Sequence, residues 1–132
     1  MITELLTINE KKALISLSKK LINADGIIAT KEKQVYEIML ELLSIKRYKI
    51  NNKTSVKSLC NTFKTQRSRI ICLLELIGIA WVDNSFQKKE KEFINEVCDN
   101  FGINRLKIKS YTKLSKNMIR LNQELISIGK KS

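Results

Sequence analysis

The chain has 132 residues, with 25 Lys and Arg against 13 Asp and Glu, and therefore a formal net charge of +12. It contains no His, which excludes a Ser-His-Asp triad, imidazole acid–base catalysis and a His-ligated zinc site. The length suits a single domain over residues 1–132, and an apolar content of 43% can supply a hydrophobic core. With no nucleophile constellation or phosphate loop either, a role other than enzyme catalysis is expected.

The remaining composition favours helices in a reducing compartment. The chain has no Pro and only four Gly, which argues against a turn-rich β fold. No apolar run reaches the ~18 residues of a membrane span, and the first residues lack the features of a signal peptide. Three Cys without CxxC spacing fit buried, reduced thiols, so a cytoplasmic location is expected.

The hydrophobic period predicts two helices in the first third of the chain. A T-x-x-E capping box at Thr7 and Glu10 predicts a helix from Ile8 to a stop at Asp25-Gly26. A second helix is expected over residues 30–44. The inward-facing side chains expected for the two helices are Ala13, Leu14, Leu17, Leu21 and Ala24, and then Val35, Ile38, Met39, Leu42 and Leu43.

Five further helices follow from the same period. A short helix is expected over residues 55–63, and an almost wholly apolar one, buried on most sides, over residues 68–82. Another spans residues 87–100 and ends at Gly102. Two separate helices are then expected over residues 104–111 and 114–128, and residues 129–132 are expected to fray. The buried stripe predicted for the last helix is Leu114, Met118, Leu121, Leu125 and Ile128.

An internal repeat relates two acidic loops. Asp25 and Asp83 lie 58 residues apart, as do Glu32 and Glu90, and the apolar positions that follow each pair are in phase. Each unit is therefore a helix, a tight acidic loop and a second helix. Under one interpretation the carboxylates only organise the bend, by capping helices and accepting backbone hydrogen bonds. Under the other, they are oxygen ligands for Ca²⁺ or Mg²⁺. The spacing is not that of an EF-hand.

The bases are concentrated in two stretches without acids. One lies between Leu42 and Leu74, and the other between Asn100 and Gln123. They indicate either a phosphate-binding face, for nucleic acid or anionic lipid, or a solvated surface in which Lys is the default polar residue. The nucleic-acid alternative rests on Lys46, Arg47, Lys49, Lys53, Arg67 and Arg69, and the second stretch adds Arg105, Lys107, Lys109, Lys113, Lys116 and Arg120.

The duplicated loop motif resembles the TerB-like (tellurite-resistance TerB) family, which also forms the N-terminal domain of some DnaJ-like membrane-associated cochaperones. The resemblance covers residues 8–125. The sequence departs from the family pattern where Asn84 replaces a Gly and where Ala29 replaces a Ser or Thr cap. Its net charge of +12 also differs from the acidic character of the family. The residues that carry it are Ala24-Asp25-Gly26 with Glu32, Val82-Asp83-Asn84 with Glu90, and Phe101-Gly102-Ile103.

The resemblance implies an all-α fold of about seven helices in two pseudo-symmetric halves. It also implies a non-enzymatic interaction module of the stress-response or tellurite-resistance type. The partners implied are proteins of a complex at the inner face of the membrane, and the acidic loops are implied to bind metal. Apart from the resemblance, Trp81 and the three Cys are expected in the core.

Overall fold

The computed structural model describes residues 2–24, 34, 37, 40–41, 50–81 and 87–131, and within these residues the fold is all-α without any strand. Four single positions, at residues 34, 37, 40 and 41, are also helical. The other positions of the helix expected over residues 30–44, including its inward-facing residues, lie outside the described residues. The α-helices are α1 (Ile8–Ile22), α2 (Val56–Asn61), α3 (Gln66–Ala80), α4 (Lys88–Phe101) and α5 (Ile108–Lys131), and the 3-10 turns are Ile2–Leu5 and Arg105–Lys107.

Side-chain caps explain where these helices begin. The Thr7 N–H donates to Glu10 Oε1 at 2.8 Å, and the Glu10 N–H donates to Thr7 Oγ1 at 3.1 Å, so the predicted capping box is confirmed. Thr65 and Ser68 form a reciprocal box at the start of α3, whereas Ser55 caps α2 only by accepting from the Ser58 N–H. Helix α4 ends at Gly102, as predicted, and Gly102 adopts the left-handed conformation with φ of 70°. The end of α1 was predicted too late, because the helix already ends at Ile22.

Helix α3 is the centre of the core. It packs against α1, α4 and α5, which confirms the prediction that this apolar helix is buried on most sides. The predicted stripe of α1 is also buried, apart from Ala24, which is half-buried. The three Cys are buried as well. The fully buried side chains include Leu14, Leu17 and Leu21 of α1, Leu73, Leu76 and Ile77 of α3, and Ile94 and Val97 of α4.

Helices α3 and α5 approach each other closely at Gly78. The buried Ser115 hydroxyl of α5 donates a hydrogen bond of 2.8 Å to the Leu74 carbonyl of α3. A Cβ atom at Gly78 would lie 2.9 Å from the Ser115 Oγ and 3.4 Å from Ile119 Cδ1. The absence of a side chain at Gly78 therefore allows Ser115 to reach the backbone of α3.

The C-terminal region differs from the prediction in two respects. Residues 108–131 form one continuous helix, because neither Gly nor Pro interrupts the sequence between Tyr111 and Leu114. The helix also includes residues 129–131, which were expected to fray. The stripe predicted to be buried is exposed at Leu114, Leu121, Leu125 and Ile128, and Met118 is half-buried. The helical period identifies the apolar residues that share one face of a helix, but it does not show whether another element covers that face.

None of the helices in the described ranges is long and apolar enough to cross a membrane. Although α5 has 24 residues, charged side chains recur along its length.

The close approach at Gly78 predicts that Gly78→Ala lowers the free energy of unfolding by about 1–2 kcal/mol, since the new methyl group displaces the Ser115 hydroxyl. Chemical denaturation measures this change. Gly129→Ala is the matched control, because nothing lies within 4 Å of a Cβ atom there, and it should be neutral or slightly stabilising. Adding Ser115→Ala to Gly78→Ala should recover part of the loss. Equal stability of the wild-type chain and Gly78→Ala would contradict the close approach.

Candidate functional site

Only one of the four predicted metal ligands lies in the described part of the chain. Glu90 is 1% exposed, and its Oε1 accepts a hydrogen bond of 3.2 Å from the Gln87 N–H at the start of α4. Glu90 therefore caps α4, as the bend-organising interpretation expects. The other three, Asp25, Glu32 and Asp83, lie outside the described residues. Within the described residues no group of three acidic or Cys side chains could hold a metal ion, and the predicted ion site stays a prediction.

Of the six bases predicted to bind nucleic acid, half lie in the described part of the chain. Lys46, Arg47 and Lys49 lie outside the described residues, whereas Lys53 and Arg67 are exposed. Arg69 is half-buried, and its Nε donates a hydrogen bond of 2.9 Å to the Phe63 carbonyl. That bond ties the first turn of α3 to the connection after α2, so Arg69 has a structural role in addition to its charge.

The second acid-free stretch contributes to a basic groove between α4 and α5. The groove has a volume of about 590 Å³. It brings together four of the six bases of this stretch and adds Lys91, which no sequence pattern indicated. Its lining residues, which define the basic groove, are Trp81, Lys91, Ile94, Asn95, Arg105, Ile108, Lys109, Thr112, Lys113 and Lys116.

An aromatic ring and buried apolar side chains lie inside this basic lining. The half-buried Ile108 and the fully buried Ile94 line the basic groove, and with Trp81 we call them its apolar base. Trp81 is half-buried rather than in the core, and the Lys116 Nζ lies 4.3 Å from its ring centroid. A cation at this distance from an indole ring is attracted by the ring quadrupole. The contact therefore holds Lys116 and Trp81 together at one end of the basic groove.

Arg105 differs from the other bases because it is paired with an acid. Its guanidinium donates two hydrogen bonds to the Asp99 carboxylate, and the Nε–Oδ1 distance is 3.0 Å. The hydrogen bond from Arg105 holds the pKa of Asp99 below its ordinary value. Both side chains are more than half exposed, so the pair orients Arg105 more than it stabilises the fold.

The exposed face of α5 is a second feature, which we call the α5 apolar stripe. It consists of Leu114, Leu121, Leu125 and Ile128, which are between 45% and 65% exposed. Their separations of seven, four and three residues place them on one side of the helix. Lys109, Lys113 and Lys116 are spaced by four and three residues, so they share one side of α5. That side differs from the side of the stripe, because Lys113 lies about 100° away from Leu114 around the helix axis.

Comparison with known proteins assigns the chain to a family. The family profile described as tellurite resistance protein TerB matches residues 11–112. The chain belongs to the TerB family. No curated protein and no solved structure gives a match. The TerB match runs from α1 to the first turns of α5 and ends at residue 112. Lys113, Lys116 and the whole α5 apolar stripe therefore lie beyond the matched residues.

Proposed function

We propose that this TerB domain, as a single domain over residues 1–132, is a non-enzymatic interaction module that binds a protein partner through the α5 apolar stripe. The observation that carries the proposal is the exposure of Leu121, Leu125 and Ile128 at 55%, 59% and 65%. They lie on the helix that packs against the core through Ser115. A row of large exposed apolar side chains on one helix face is typical of a protein interface.

Charge favours an acidic partner over a second copy of the chain. Helix α5 carries six bases and a single acid, Glu124. Two such helices side by side would repel each other, whereas an acidic surface with an apolar centre would complement both the charge and the stripe. The partner that fits is therefore a protein with an acidic amphipathic face.

The chemistry of the thiols supports a role other than catalysis. Burial raises the pKa of Cys60 to about 12 and that of Cys98 to about 11, and it raises the pKa of Cys72 well above its ordinary value. At neutral pH these thiols are protonated and unreactive. The TerB family favours a stress-response or tellurite-resistance role for the domain. The resemblance to membrane-associated cochaperones favours a place in the cytoplasm at the inner face of the membrane.

The partner proposal predicts the outcome of quantitative co-purification from cells. The protein measured is the acidic one that co-purifies with the wild-type chain. Leu121→Ser with Leu125→Ser should reduce its recovery at least tenfold, because the substitutions remove the apolar contact but leave the fold intact. The matched control is Leu5→Ser with Ile8→Ser, at two other exposed apolar positions, and it should recover the partner normally. Equal recovery with both double variants, or a stripe-dependent homodimer in sedimentation, would contradict the proposal.

A second candidate function is divalent-ion binding at the acidic loops through Asp25, Glu32, Asp83 and Glu90. It is supported by the duplicated spacing of the Asp and Glu residues and by the buried carboxylate of Glu90 at the start of α4. Carboxylate oxygens are the ligands that Ca²⁺ and Mg²⁺ prefer. Glu90 would then hold an ion and cap α4 at the same time.

Calorimetric titration with Ca²⁺ and Mg²⁺ tests this candidate. The wild-type chain should show saturable binding that Asp25→Asn with Asp83→Asn abolishes, because each loop loses the charge of its Asp. Glu37→Gln with Glu41→Gln removes the same charge at two exposed positions and should leave binding unchanged. Absence of saturable heat from the wild-type chain at millimolar ion would exclude the site.

A further inference from the structure

The basic groove is lined by five bases, and its described lining residues include no acid to balance their charge. Of its five bases, Arg105 is paired with Asp99. The other four, Lys91, Lys109, Lys113 and Lys116, face a lining in which the described residues include no acid. Four ammonium groups around one concavity repel each other, and a bound anion would relieve that repulsion.

The size and base of the basic groove indicate an organic anion. Its volume of about 590 Å³ lies within the range of roughly 300–1,000 Å³ that small-molecule sites occupy. Ile108 and Trp81, which are half-buried, supply accessible apolar surface within the lining. A simple inorganic ion would leave this apolar surface without a contact, so the ligand needs an organic body as well as charge.

The spacing of the lysines indicates several charged groups on the ligand. Lys109, Lys113 and Lys116 succeed one another on one side of α5 and extend over about 10 Å along the axis at a rise of roughly 1.5 Å per residue. Two or three linked phosphoryl groups match this spacing, because each ammonium group can then contact a phosphoryl group close to its own position along the helix. Lysine binds phosphate as a point charge and needs no fixed planar geometry.

We propose that the basic groove binds a small organic polyphosphate. Its phosphoryl groups contact Lys109, Lys113 and Lys116, and its organic body rests on Ile108 and Trp81. Nucleoside diphosphates and phosphorylated inositols share this chemistry. The site is independent of the partner proposal, because the groove and the α5 apolar stripe lie on different sides of α5 and do not share a residue.

Trp81 makes the proposal directly measurable. It is the only Trp of the chain, and it lines the basic groove against Lys116. A ligand that engages Lys116 changes the surroundings of the indole ring, so the intrinsic fluorescence reports occupancy of this groove when no divalent ion is added. Calorimetry gives the stoichiometry independently.

The experiment titrates the whole chain with ADP, inositol 1,4,5-trisphosphate, inorganic pyrophosphate and a single-stranded oligonucleotide. ADP or the inositol phosphate should change the Trp81 fluorescence saturably, with a stoichiometry of one. Lys109→Gln with Lys113→Gln should weaken that binding at least tenfold. Lys53→Gln with Lys57→Gln is the control of equal charge at exposed positions outside the basic groove, and it should change the affinity less than twofold.

Several outcomes would overturn the proposal. Absence of a saturable response to both organic probes at millimolar concentration excludes the site. Equal weakening by the two double variants shows an attraction to net charge without a defined site. Pyrophosphate binding as tightly as the organic probes shows that the apolar base is not used. Binding to the oligonucleotide that ADP and the inositol phosphate fail to displace shows a nucleic-acid surface instead. The relative affinities of ADP and the inositol phosphate distinguish the two ligand sources.

Discussion

The contact between Ser115 of α5 and the backbone of α3 at Gly78 sets the arrangement of the C-terminal half of the chain. The hydroxyl donates to the Leu74 carbonyl at 2.8 Å, and a Cβ atom at Gly78 would lie 2.9 Å from the Ser115 Oγ. A buried hydrogen bond of this kind is costly to lose, since the donor would be left without a partner. Because α3 is held from its other sides by α1 and α4, the bond fixes how α5 is rotated on a rigid core.

That rotation distributes the side chains of α5 over three sides. Ser115 faces α3, the lysines from Lys109 to Lys116 face the basic groove toward α4, and the α5 apolar stripe faces solvent. The two proposed activities therefore depend on one structural contact but use different residues. The TerB match ends at residue 112, so the stripe and two of the three lysines of α5 that line the basic groove lie beyond the matched residues.

Two helix boundaries were predicted correctly because caps are local. The Thr7–Glu10 box at the start of α1 and Gly102 at the end of α4 each act within a few residues. Two separate helices were expected over residues 104–111 and 114–128, so the continuity of α5 was not predicted. The surroundings of Leu121 and Trp81 could not be predicted, since they depend on the rotation of α5 against distant elements. The predicted metal site rests on four carboxylates, of which only that of Glu90 lies in the described part of the chain.

Thiol labelling along α5 tests its rotation most directly, because the three native Cys are buried and burial raises the pKa of their thiols. The native chain should therefore give no background reaction. Leu121→Cys and Leu125→Cys should react with an aromatic disulfide reagent as fast as a model thiol. Ser115→Cys should react only after unfolding. Rapid labelling of Ser115→Cys in the native state, or protection of Leu121→Cys, would contradict this arrangement of α5 and both proposals that depend on it.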